Sequence, residues 1–142
     1  MKFKMRILHF SPAGNAEAIA FAISKAQQAS CDKIPPAYPI EKEKLAFIGF
    51  EMKGAKVDKN VANLCNDLST TRVKNVAIYA VGGKFDGVAE IKEIIKSKGI
   101  NIVGDTFECS VKTGLFGKGK VTEGDIKAAT EWADKIVDSM LE

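Results

Sequence analysis

Residues 5–22 read MRILHFSPAGNAEAIAFA. The first six form a short apolar run, the next four are turn-formers, and apolar residues then return at Ile19, Ile23 and Ala26, spaced by four and three. A continuous apolar run stopped by turn residues predicts a buried strand over 5–10. The spacing after it predicts a helix from Asn15 to Ala29 with one apolar face. The loop between them therefore opens a helix, whose unpaired N–H groups and positive dipole end favour an anion. Gly14 allows close approach of the backbone, and Ser11 and Asn15 carry side-chain donors.

The same alternation recurs along the chain. KLAFIGF (44–50) and NVAIYAV (75–81) are further buried strands, the second stopped by Gly82 and Gly83. Val57, Val61, Leu64, Cys65 and Leu68 share one helical face, with Asp58 as its N-cap. Val88, Ile91, Ile94 and Ile95 share another, ended by Gly99 at C′. NIVGDTFEC (101–109) is a strand in which Gly104 predicts a bulge or break. A last helix starts near Thr122, with Asp125 three residues on as a weaker form of the capping box. SCDKIPPAYPI (30–40) has three prolines and predicts at most a short edge strand near Asp32–Ile34. Continuous apolar strands alternating with helices predict an α/β domain: a five-stranded parallel sheet, order 2-1-3-4-5, covered by helices on both faces as a three-layer sandwich. With 142 residues, one domain over 1–142 is expected. Its ligand site belongs at the carboxyl ends of the strands, at the switch point between strands 1 and 3. That selects the loops SPAGNA, EMKGAK, GGKFDG and SVKTGLFGKGK.

Ser11-Pro12-Ala13-Gly14-Asn15-Ala16 resembles the phosphate loop of the flavodoxin family, commonly S/T-x-T-G-N-T, at the same place between strand 1 and helix 1. Ser11, Gly14 and Asn15 match; Ala13 and Ala16 each stand where the family has a hydroxyl, and Pro12 has no N–H. The element order extends the resemblance over the whole chain. It implies a flavodoxin-like fold, FMN as cofactor, and electron transfer to or from a partner oxidoreductase. Two lost hydroxyls cost about 3–6 kcal/mol, or about two to four decades of affinity. FMN is thus expected as an exchangeable ligand, and Ala13→Thr with Ala16→Thr is expected to tighten it. By the same resemblance, Met52, Lys53 and Gly54 form the loop against one flavin face, with Phe50 as an alternative platform and Gly54 as the flipping peptide. Phe85 and Asp86 stand where the family places an aromatic and an acidic residue at the other face, and Gly82 and Gly83 would offer backbone amides to the pyrimidine edge. The rival expectations are an interaction module that has lost FMN, which Ala13 and Ala16 favour, and a small flavin-dependent reductase, for which the chain shows no lid insertion.

Other chemistries find little material. Gly114–Lys120 satisfies G-x-x-x-x-G-K, but Val121 replaces the Ser or Thr that holds Mg²⁺. The lone glycine of the first loop does not make G-x-G-x-x-G. Three scattered cysteines form neither a disulfide framework nor a zinc site. Cys109 is not followed by C-x₅-R, since Leu115 stands at the sixth position, and it is expected to be a buried, inert thiol. His9, the single histidine, is expected to be structural. Net charge is +3 with lysines interleaved among acids, which speaks against nucleic acid. No apolar run reaches the roughly 20 residues of a membrane span, and a cytoplasmic location is expected. Lys53, Lys56, Lys84 and Lys112 gather near the ligand loops, so an acidic partner or an anionic ligand is expected.

Overall fold

β1 (Met5–Phe10) is apolar on both sides and lies inside a parallel sheet, paired with β2 (Ser30–Lys33) on one edge and β3 (Glu43–Glu51) on the other. The computed structural model describes residues 3–111, 113–114 and 117–141. β3 pairs with β4 (Val73–Gly82), which carries the sheet outward. The fifth strand is broken as Gly104 predicted: β5 (Asn101–Ile102) and β6 (Phe107–Ser110) pair separately with β4, and Gly104 between them has φ 71°. With β5 and β6 sharing the outer position, the order is 2-1-3-4-5. β2 starts two residues earlier than expected and ends one residue earlier. A small antiparallel hairpin, β7 (Thr113–Gly114) and β8 (Gly117–Lys118), follows β6.

Strand alternation sorts the core into two layers. Leu45, Phe47, Ala77, Tyr79 and Val81 face α1 (Asn15–Gln27) and α4 (Glu123–Met140). Ala46, Ile48, Phe50, Val76, Ile78 and Ala80 face α2 (Lys59–Asn66) and α3 (Val88–Ser97). The helix signals act as read. Asp58 caps α2 by accepting from Asn60 N at 2.8 Å. Thr122 and Asp125 form a reciprocal capping box on α4. Gly99 follows α3 with φ 79°. The pseudo-P-loop is no strand-to-helix turn, because Gly117 and Lys118 pair in a hairpin and α4 opens only at Glu123. Leu115 and Phe116 of that motif, and Lys112 of the expected basic rim, lie outside the described residues.

Candidate functional site

The first loop turns tightly before α1. Gly14 N donates to Ser11 O at 3.2 Å, and Gly14 takes φ 85°, a conformation L side chains rarely adopt. A Cβ there would meet nothing within 4 Å, so conformation rather than space calls for glycine. The turn aims the amides of Ala13, Asn15 and Ala16 at one point.

That point holds the carboxylate of Glu51, the last residue of β3. Ala13 N donates to Oε1 at 2.7 Å; Asn15 N and Ala16 N donate to Oε2 at 2.8 and 3.1 Å. Ser11 Oγ donates to the same Oε2 and accepts from Glu17 N at 2.8 Å. Glu51 is 9% exposed. Three amides, a hydroxyl and the start of a helix thus enclose one anion, the arrangement in which hydrogen bonds to charge are strongest. Ala13 and Ala16 contribute through their backbones, so their missing hydroxyls cost this contact nothing. Pro12, with no N–H, stands outside the donor set. A ligand phosphate would need these same donors, so the loop does not fit a phosphate while Glu51 holds it.

Asn15 differs from its expected role. Its Nδ2 donates to Gly119 O at 2.9 Å and its Oδ1 accepts from Val121 N at 3.0 Å. The side chain straps the segment before α4 to the start of α1 and is not a free donor for a ligand.

Beside the filled loop lies a cleft of about 450 Å³ between the carboxyl ends of β1, β3 and β4, with Phe10, Pro12, Met52, Gly54, Val81 and Val111 on its walls. Met52 N donates to Val81 O at 2.8 Å, and a Cβ on Gly82 would come within 2.8 Å of Met52 Cβ. Glycine at 82 makes the room in which Met52 lies. Lys53 and Lys56 exchange backbone bonds of 2.7 and 3.0 Å across a turn in which Gly54 has φ 63°. Lys53 Nζ stands 3.6 Å from the Asp58 carboxylate. Gly87 N donates to Ala55 O at 2.8 Å, which ties the third loop to the second.

Of the residues singled out in sequence, Ala13, Asn15, Met52, Lys53, Gly54 and Gly82 line this cleft, and Ser11, Gly14 and Ala16 build the anion cradle at its end. Phe50 does not join them: it is fully buried in the layer facing α2 and α3, because it sits one residue out of phase with Glu51. Phe85 packs against the same layer, and Gly83 and Asp86 are exposed; none of the three lines the cleft. Sequence reasoning includes Glu51 and Val111 only as members of the loops EMKGAK and SVKTGLFGKGK, assigns neither a role, and misses Phe10 and Val81. The signal for Glu51 was present: strand alternation puts position 51 on the α1 side with Leu45 and Phe47, beside the first loop.

His9 is buried, with its ring 6.0 Å edge-on from Phe21, and burial pushes its pKa down. The Cys109 thiol is buried and pushed up to about 11, and Cys65 to about 12, both by desolvation first. Among the described residues no cluster of His, Cys, Asp and Glu could hold a metal ion, and no helix is long and apolar enough to cross a membrane.

The architecture has close counterparts among solved structures. A flavodoxin from the domain Archaea superposes with a TM-score of 0.81 at 13% identity, covering 98% of this chain and 99% of that one. The chain has the flavodoxin fold. Oxidised Flavodoxin 2 from Bacillus cereus gives a TM-score of 0.72 at 15% identity, over 96% of this chain and 99% of that one. The flavodiiron core of Flv1 from Synechocystis gives 0.70 at 14%, over 97% of this chain and 37% of that one. No protein-family model and no curated protein matches the chain. Within the flavodoxin fold, the site lies where the strand order reverses, and its anion cradle is filled from inside.

Proposed function

We propose that this protein is a flavodoxin-like electron-transfer module that takes up a flavin reversibly and works with a partner oxidoreductase. The observation that carries the proposal is the cleft at the switch point, where the soft side chain of Met52 and the turn at Gly54 face apolar walls from β1 and β4. A thioether against a π-ring is a favourable contact, and a glycine already at positive φ tolerates the peptide rearrangement that a change in ring protonation calls for. FMN is the cofactor that the fold's relatives suggest. Its ring suits the cleft, whereas its phosphate does not fit the cradle together with Glu51. A bound flavin would supply the electron chemistry; Met52, Gly54 and Gly82 would hold and orient the ring. Lys53 is partnered by Asp58, so Lys56 and Lys84 are the lysines of these loops that would face an acidic partner protein.

A second reading, an interaction module without flavin, is favoured by Phe85, which packs half-buried against the α2–α3 layer and leaves the cleft without a second aromatic wall. Titrating the purified protein into FMN and into riboflavin while following flavin fluorescence separates the two. Saturable quenching by either flavin supports the flavin-binding module. Absence of quenching by both supports the interaction module.

A further inference from the structure

We infer that Glu51 is a built-in occupant of the phosphate seat, and that it sets the ligand class of the cleft: a flavin with an uncharged ribityl end, such as riboflavin, in preference to a phosphorylated one. This inference rests on the flavin-binding reading for its ligand, while the occupancy of the seat stands on geometry alone.

Glu51 meets the donors that a phosphate would use, the amides of Ala13, Asn15 and Ala16 and the Ser11 hydroxyl. Its backbone is fixed, since Glu51 pairs with Val81 of β4 and its neighbour Phe50 pairs with Phe10 of β1. The carboxylate is therefore delivered by a rigid strand, and a free anion competes against a tethered one at high effective concentration. Entry of a phosphate would also leave a carboxylate, nine-tenths buried, beside a dianion. Among the described side chains, which do not include those of Lys112 and Lys118, no lysine or arginine pairs with Glu51, and the nearby Lys53 is engaged by Asp58. Two like charges in one low-dielectric site repel strongly. A neutral hydroxyl chain meets neither obstacle: it can end at the Glu51 carboxylate and leave the cradle filled.

The test uses the full chain as wild type, Glu51→Gln and Glu51→Ala, with three probes: riboflavin, FMN and inorganic phosphate. Flavin fluorescence reads the first two, and the shift in Tm and calorimetric titration read the third. The wild type is expected to bind riboflavin at least about tenfold more tightly than FMN, a difference of one decade in affinity. Glu51→Ala is expected to shift the ratio of FMN to riboflavin affinity by at least about tenfold in favour of FMN, and to be stabilised by phosphate where the wild type is not. If the alanine variant fails to fold, Glu51→Gln carries the test, with the same direction and at least about threefold for FMN. Wild-type preference for FMN, or variants whose FMN and phosphate binding match the wild type, overturns the inference. If neither flavin binds any variant, the flavin reading fails and the preference for riboflavin fails with it. The phosphate measurement still decides whether Glu51 fills the seat.

Discussion

The Tyr79 ring lies across Gly49 on the neighbouring strand: a Cβ built on Gly49 would stand 1.9 Å from Tyr79 Cζ. The phenol, fully buried, reaches over the strand and donates to Ala16 O at 2.9 Å. One glycine thus makes room for the side chain that ties the start of α1, and with it the anion cradle, to the sheet. Gly49→Ala forces the ring aside and is expected to cost about 3 kcal/mol, the upper end of overpacking. Tyr79→Phe loses one buried hydrogen bond and is expected to cost about 1 kcal/mol. Urea denaturation of both variants checks the ranking; equal stability of Gly49→Ala and wild type would show that the ring does not sit there.

Ser11 joins two contacts, donating to Glu51 and accepting from Glu17 N. Ser11→Ala is expected to cost about 1–2 kcal/mol, the range of a lost helix cap. Combined with Glu51→Ala it should cost less than the sum of the singles, because both remove the same bond. A double-mutant cycle by chemical denaturation measures this, and strict additivity would argue that the two residues do not interact.

The sequence alone predicts that hydroxyls at positions 13 and 16 tighten FMN. The structure changes that outcome. Ala16 is fully buried under the sheet, so Ala16→Thr is expected to destabilise by about 1–3 kcal/mol. Ala13 lines the open cleft and tolerates Thr. Neither is expected to raise FMN affinity while Glu51 fills the cradle. Thermal melts and flavin titrations of the two single variants test it, and a tenfold gain for FMN in either would contradict it.

His9 provides a pH signature. Burial lowers its pKa from 6.5 in the folded chain; Glu17 and Asp32 oppose that shift and Lys33 adds to it. The folded state therefore takes up a proton less readily than the unfolded one. The resulting stability is present above pH 6.5 and is lost as pH falls below that value toward the lowered folded pKa. Tm is expected to drop between pH 7.5 and 5.5, and His9→Phe should flatten the drop. A His9→Phe profile parallel to the wild type would assign the loss to other groups.

Much of the fold was legible because each strand is a continuous apolar run and each helix carries its own signals, such as Asp58, Gly99 and the Thr122–Asp125 pair. The position of the site was legible for the same reason, since strand order alone fixes where the sheet opens. Its contents were less so. Gly14 and Ser11 announce an anion loop, but the anion comes from a residue 35 to 40 positions away from its donors, and no local pattern reports that pairing. Phe50 and Phe85 stand out in the sequence for their aromatic character, while strand phase buries Phe50 in the core and the turn into α3 lays Phe85 half-buried against the same layer. Asn15 reads in the sequence as a side-chain donor for a ligand, while its side-chain hydrogen bonds go to residues more than 100 positions downstream.

The most direct measurement of the central claim is the amide NMR spectrum of the wild-type protein titrated with FMN, read at Ala13, Asn15 and Ala16. With Glu51 in the cradle, these three amides are expected to keep their positions even where FMN shifts the amides of Met52 and Gly54. Large saturating shifts at Ala13, Asn15 and Ala16 would show a phosphate seated in the loop and would contradict the account.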